Sequence, residues 1–153
     1  MKKIIALSAC HNRINFTLSI IGEMYDQYIP EGYELIVCIV DDGSTDGTYE
    51  CILNKYPKVV LLKGSGDLYW SGGMRFGWDN FVKAEILDYL LVFNDDIKLN
   101  KKAIYNLIKD IECFDNEKEA IAVTGSFCDP ITKGTTYSGV VKESWWHPLR
   151  FKK

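Results

Sequence analysis

The stretch Tyr89-Leu-Leu-Val-Phe-Asn-Asp-Asp-Ile97 decides the fold, because a run of large apolar residues breaks abruptly into an amide and two carboxylates. The run is too short for a membrane span and has no polar alternation, which predicts a strand buried on both faces, as in a parallel sheet covered by helices. Asn94, Asp95 and Asp96 then fall at its carboxyl end, the edge at which open α/β sheets bind ligands. Two adjacent acids beside an amide offer hard oxygen ligands for Mg²⁺ or Mn²⁺. The same residues also suit a polar turn that caps the helix after Asn100, since Asn and Asp are common turn formers.

Upstream, residues 33–40 form a second strand with a continuous apolar segment, and it too runs into paired acids, Asp41 and Asp42. The following Gly43-Ser-Thr-Asp-Gly-Thr48 is a turn able to cap a helix through Ser44, Thr45 or Asp46, with that helix ending near Tyr56 and Pro57. Residues 3–9 are a first buried strand closed by the polar cluster Cys10-His11-Asn12-Arg13. Ile14, Leu18, Ile21, Tyr25 and Tyr28 then mark one helical face, ended by Pro30 and Gly32. A short third strand at 59–62 leads to a helix that opens within 68–79 and continues to about Leu87, with Trp78, Phe81, Val82 and Ile86 or Leu87 facing inward. Beyond the acidic stretch, a helix begins near Lys101, with Ala103, Ile104, Leu107, Ile108 and Ile111 on one side. A fifth strand is expected at 120–123 and a strand or hairpin arm at 135–142, while Trp145-Trp-His-Pro148 ends the pattern without a closing element. Strands alternating with helices at short spacing imply right-handed βαβ units: an α/β protein with a mainly parallel sheet flanked by helices.

A chain of 153 residues suits one domain, and 47% hydrophobic with 25% charged residues argues against disorder. A formal charge of −3 provides no general attraction to nucleic acid or to an anionic membrane, so phosphate binding must be local. Five cysteines without a CxxC pair fit a reduced, cytoplasmic setting, and Cys10, Cys38 and Cys128 lie in apolar runs that suit buried thiols. No stretch has the length of a signal peptide or membrane span.

The main chemical signal is two buried strands that each end in Asp-Asp, at 41–42 and 95–96. On adjacent parallel strands they would bring up to four acids into one cleft, a density of negative charge that is costly without a cation. A divalent metal carrying an anionic ligand resolves the conflict. The alternative is that one pair caps a helix and the other makes a turn. The glycines at 64, 66, 72, 73 and 77 spell neither a dinucleotide fingerprint nor a phosphate loop. A looser role stays open, with Gly72 and Gly73 admitting a close ligand and Arg75 reaching a phosphate from the helix start. Tyr69 and Trp70 read equally as ligand contacts or core aromatics. His11 has no acid partner in sequence and suits a structural or ligand contact better than a general base.

Together, Ser8-Ala-Cys-His-Asn-Arg13, Val40-Asp-Asp-Gly-Ser-Thr-Asp-Gly-Thr48, Gly66-Asp-Leu-Tyr-Trp-Ser-Gly-Gly-Met-Arg-Phe-Gly77 and Leu91-Val-Phe-Asn-Asp-Asp96 resemble glycosyltransferase family 2, the inverting nucleotide-sugar transferases of GT-A fold. The resemblance implies a nucleoside-diphosphate sugar donor, a divalent cation (Mg²⁺ or Mn²⁺) and a saccharide or lipid-linked acceptor. A role in cell-wall or polysaccharide synthesis at the inner face of the membrane goes with it. Carried over by position, it sets Ala9, His11 and Arg13 near the base, Asp42 on the base edge, and Asp67, Trp70, Gly73 and Arg75 on the donor. The family's Asp-x-Asp motif falls on Asn94-Asp95-Asp96, with Asn94 in place of the first acid. Asp96 then becomes the metal ligand, with Asp95 near the ribose or sugar. That Asn-x-Asp form is similar to rhamnosyltransferase-like members and hints at a deoxysugar. The family's base comes from a later segment, so the resemblance implies the donor-binding part of a longer transferase, with the base beyond Lys153. Trp145, Trp146, Leu149 and Phe151 would then form a face covered by the remainder or by a second copy, a homodimer. The competing reading is a non-catalytic nucleotide-binding or regulatory α/β module.

Overall fold

Strong β-formers in unbroken runs make two nine-residue strands, β1 (Lys2–Cys10) and β2 (Tyr33–Asp41), and the shorter runs give β3 (Val60–Lys63) and β4 (Tyr89–Val92). In the computed structural model these four pair in parallel in the order β3-β2-β1-β4, with Ile5 of β1 opposite both Ile36 and Leu90. Helices α1 (Ile14–Tyr25), α2 (Thr48–Lys55) and α3 (Tyr69–Asn80), with a 3₁₀ turn at Val82–Ala84, make the crossovers. The structure describes residues 1–113, 122–129, 131–132 and 134–136, together with the backbone of 137, 141–142 and 151–152. Two compact units divide the chain, Met1–Lys102 and Ala103–Lys153. The second contains α4 (Ala103–Cys113) and two antiparallel pairs, β5 (Phe127–Cys128) with β6 (Thr135–Tyr137) and β7 (Val141–Lys142) with β8 (Phe151–Lys152).

Alternation along β1 and β2 gives the sheet two different faces. Ile5, Leu7, Cys38 and Val40 join Val82 in one core, against which Ala9, Met74, Phe76, Phe81 and Leu87 pack. α3 approaches this face through glycine. A Cβ at Gly77 would stand 2.6 Å from Leu7 Cδ1, and one at Gly73 would stand 2.7 Å from Ala9 Cβ. The helix backbone therefore lies directly on the strands, which any side chain at these two positions would prevent. On the other face Thr17 of α1 reaches Cys10, and Ile20, Ile21 and Met24 complete the buried stripe of α1.

Several expectations need correction. Among the described residues β4 is an edge strand and not a doubly buried one: Leu90 and Val92 are 39% and 48% exposed, although Phe93 is buried. β1 lies between β2 and β4, so the two acidic strand ends are not neighbours. α3 stops at Asn80, and Trp78 and Ile86 are exposed, because the inward stripe is carried by Gly73 and Gly77. Tyr25 and Tyr28 are exposed as well, with α1 ending at Tyr25. Cys10 and Cys38 are buried thiols that burial pushes up to about 12, whereas Cys128 is exposed. Residues 122–123 of the expected fifth strand carry no regular structure, and 120–121 lie outside the described residues. The stretch 135–142 splits between two hairpins, with β8 closing the second, so the pattern does end on a paired element. Trp145, Trp146, His147 and Leu149, and the side chain of Phe151, lie outside the described residues.

Candidate functional site

The polar residues gather where parallel strands must end them, at the carboxyl edge. β1 delivers His11, Asn12 and Arg13, β2 delivers Asp41 and Asp42, and β4 delivers Asn94, Asp95 and Asp96. Hydrogen bonds between the loops set their positions. Asn12 N–H donates to Ser44 Oγ at 2.8 Å, Thr45 N–H donates to Asn12 Oδ1 at 2.7 Å, and Ile14 N–H donates to Asp46 Oδ2 at 3.2 Å. Asp46 also accepts the backbone N–H of Thr48, so one carboxylate serves the first turns of two helices. The hydroxyl of Thr48 and these amides hold the Asp46 carboxyl below the usual carboxylate range. Among the described residues two non-glycine residues take the left-handed backbone, Asn12 at φ 52° and Tyr69 at φ 56°, and both stand at this edge. Such strain persists where the surroundings over-determine it, as they do at binding sites.

His11 Nδ1–H donates to the carbonyl of Asp42, which leaves Nε2 as the acceptor facing Asn12 Nδ2 at 3.0 Å. The ring is thereby fixed in one tautomer and stays exposed. Arg13 forks between the two acids of β4's end: Nη1 lies 3.3 Å from Asp95 Oδ1 and Nη2 lies 3.1 Å from Asp96 Oδ2. Its guanidinium also rests over the Phe16 ring, 5.0 Å from the centroid. Asp95 is 5% exposed and accepts a further bond from Thr17 Oγ1 at 3.2 Å, whereas Asp96 is 46% exposed. Burial raises the Asp95 pKa, and Arg13 and Thr17 pull it back only in part.

Asp42 does different work. Its carboxylate is 4% exposed and accepts backbone N–H groups from Gly66 (2.7 Å), Leu68 (2.8 Å) and Tyr69 (3.0 Å). It is the anion at the N-terminus of α3, a place a ligand phosphate would otherwise suit. The side chain expected on the base edge is thus turned into the fold. Asp41 is buried too, taking Ser44 N–H at 2.8 Å while its Oδ2 has no partner among the described residues. No cleft of four acids forms, because β1 separates the pairs and both acids of the first pair are buried, Asp42 being engaged by backbone through both oxygens.

The other expected contacts divide. Trp70 is 53% exposed and Tyr69 is 82% exposed at the start of α3, and Asp67 and Asn94 are exposed. Gly73 and Ala9 are pressed against each other, which brings the start of α3 onto the end of β1. Arg75 lies on the helix side opposite Gly73 and Gly77, 77% exposed and held by Asp79 at 2.6 Å in an i,i+4 pair. It is not aimed at the strand ends. Sequence reasoning missed Thr17, and for Tyr69 it left ligand contact and core aromatic open without foreseeing the left-handed backbone. Thr17 was detectable as a polar residue on the inward stripe of α1, whereas nothing in the sequence announces the backbone at Tyr69.

A divalent cation can be tested against this donor set. Among the described residues no three His, Cys, Asp or Glu side chains lie together as a cage. What the edge offers is one half-exposed carboxylate, Asp96, beside the exposed amide of Asn94. That fits Mg²⁺ or Mn²⁺, which keep waters and take much of their coordination from ligand phosphates.

Residues 7–152 match Glycosyl transferase family 2. The chain belongs to this family. Solved structures agree on the fold. S. aureus TarS 1-349, in complex with UDP-GlcNAc, aligns with a TM-score of 0.58 at 19% identity, covering 73% of this chain and 31% of that one. The mannosyltransferase PcManGT from Pyrobaculum calidifontis, in complex with GDP-Man and Mn²⁺, gives 0.57 at 16% identity, covering 71% and 31%. This family 2 chain therefore spans about a third of the length of these GT-A proteins. No curated protein matches it. Among its described residues no helix is long and apolar enough to cross a membrane.

Proposed function

We propose that this chain is the donor-binding part of a glycosyltransferase that takes a sugar from a nucleoside-diphosphate sugar and passes it to a saccharide or lipid-linked acceptor with inversion. The observation that supports this best is the edge built by β1 and β4 in a family 2 chain: a tautomer-fixed His11, Arg13 on both acids, and a half-exposed Asp96 beside Asn94. UDP-GlcNAc in TarS and GDP-Man with Mn²⁺ in PcManGT make nucleoside-diphosphate sugars the ligand class to try first. Asp96 and Asn94 would hold Mg²⁺ or Mn²⁺, which when bound supplies Lewis-acid screening of the departing diphosphate. Asp95, fixed by Thr17 and Arg13, orients the turn and would lie near the ribose or sugar. Tyr69 and Trp70 present aromatic faces at the start of α3. Asp42 acts at one remove, by holding the 64–69 loop. No described side chain at this edge has the geometry of an acceptor base, so we assign none.

The test is calorimetry of the chain with UDP, GDP and their sugars, with and without Mn²⁺, on wild type and Asp96→Asn. A ligand at ~100 times its Kd adds roughly 2.7 kcal/mol to stability, so melting curves serve as the second readout. The expected result is metal-dependent binding in wild type that Asp96→Asn loses while remaining folded. Absence of nucleotide binding in wild type, or equal metal-dependent affinity in the variant, refutes the reading.

A further inference from the structure

We infer that Arg13 is a positioning residue that exchanges partners on ligand entry, with its guanidinium and a divalent cation excluding each other at Asp96, so that metal and diphosphate bind cooperatively. The inference rests on the proposed donor site and adds to it a coupling device.

The geometry carries it. Arg13 is the N-cap residue of α1, and its carbonyl accepts Thr17 N–H at 2.9 Å, with the Thr17 hydroxyl sharing its one proton between that carbonyl at 3.0 Å and Asp95 at 3.2 Å, so its backbone is fixed while its side chain is 39% exposed. The guanidinium therefore swings from a rigid base. Its two contacts are unequal. Asp95 is buried and also held by Thr17, whereas Asp96 is half-exposed and meets Arg13 at its outer edge. An exposed ion pair is worth only about 0.2–1 kcal/mol, so a dication takes Asp96 from Arg13 with little resistance. Once it does, two positive groups would share one carboxylate, and the guanidinium is repelled from that oxygen. Phe16, whose ring lies under it and is 54% exposed, supports the side chain in either position. A guanidinium released beside a bound dication has a ready acceptor in a diphosphate, which it binds as a planar fork. The cation thus frees the group that takes the anion. In its absence Arg13 neutralises the acidic edge and blocks it.

The experiment measures free Mn²⁺ by electron paramagnetic resonance in titrations of wild type, Arg13→Gln and Arg13→Lys, first with Mn²⁺ alone and then with UDP or GDP present. Circular dichroism confirms that each variant is folded. Without nucleotide, Arg13→Gln is expected to bind Mn²⁺ about fivefold more tightly than wild type, the size of an exposed ion pair released. Arg13→Lys, which keeps the charge but not the fork, should fall between. With diphosphate, corrected for Mn²⁺ taken up by the nucleotide in protein-free controls, both proteins gain through phosphate coordination, and the gain of wild type should exceed that of Arg13→Gln by about fivefold, within the usual range of coupling between sites. Equal or weaker Mn²⁺ binding by Arg13→Gln without nucleotide overturns the exclusion, since a residue that merely braces the acids would weaken the site when removed. An undiminished diphosphate effect in Arg13→Gln overturns the exchange. If no protein responds to nucleotide, the donor-site reading fails by itself, and the metal-only comparison still decides whether Arg13 competes for Asp96.

Discussion

Replacing Asp42 by alanine should destabilise the chain before it affects any ligand. The carboxylate receives three backbone N–H groups at 2.7, 2.8 and 3.0 Å from a nearly solvent-free position. Charge-assisted hydrogen bonds contribute roughly 1.5–3 kcal/mol each, and loss of an ordinary N-cap costs about 0.5–2 kcal/mol. Simple addition overstates the total, because water will reach some of the released amides at the helix end. A loss of roughly 3–5 kcal/mol is expected for Asp42→Ala, and about half of that for Asp42→Asn, which keeps one acceptor oxygen. In a chain of this size 1 kcal/mol moves Tm by about 2–4 °C, so the alanine variant should melt roughly 10 °C lower. Thermal and urea unfolding followed by far-ultraviolet circular dichroism give both numbers. If Asp42→Ala melts within about 2 °C of wild type yet no longer binds nucleotide, the carboxylate serves a ligand and its role as the anchor of α3 is refuted.

Two further outcomes follow from packing and charge. Gly73→Ala sets a Cβ 2.7 Å from Ala9 Cβ, so overpacking of about 1–3 kcal/mol should outweigh the gain of about 1 kcal/mol in helix propensity; a urea midpoint at or above wild type would refute the close approach of α3. The folded-state pKa of Asp95 is raised, so its own contribution to stability is fully present below the ordinary carboxylate value and is lost as pH rises through the raised one. Wild type minus Asp95→Asn, measured by urea unfolding from about pH 3 to about pH 7, should therefore decline with rising pH, and a difference that grows instead contradicts the burial of that carboxyl.

The strands and helices of the first unit were legible because each is a local pattern. Apolar runs of the right length, Pro30 and Gly32 after α1, and the Gly43 to Thr48 turn mark the elements within a few residues. Strand order is not local. Nothing in residues 33–41 or 89–92 says that β1 will lie between them, and the expected pooling of four acids failed on that point. The structural part of Asp42 was hidden for a related reason, since the groups it holds are backbone amides 24 to 27 positions later, invisible to a reading by side-chain type. α3 misled because the period was sought in large residues, while Gly73 and Gly77, one turn apart, carry the contact with the sheet. The gathering of Asp95 and Asp96 with Arg13 at one strand edge was legible because parallel strands have only one end at which polar residues can be both exposed and held.

The sharing of Asp46 between two helices bears on the order in which the chain acquires structure. α1 has no side-chain cap of its own, and its first amide is satisfied by a residue 32 positions downstream. A short helix nucleates poorly by itself in water, so the N-terminal segment of a growing chain should not hold helix until β2 has paired with β1 and brought its loop across. Asn12 awaits the same event through Ser44 and Thr45. The earliest persistent structure is then a βαβ unit formed in one step, closed by a parallel pairing of long sequence separation, and during synthesis the first forty or so residues remain exposed to chaperones and proteases until Asp46 has left the ribosome.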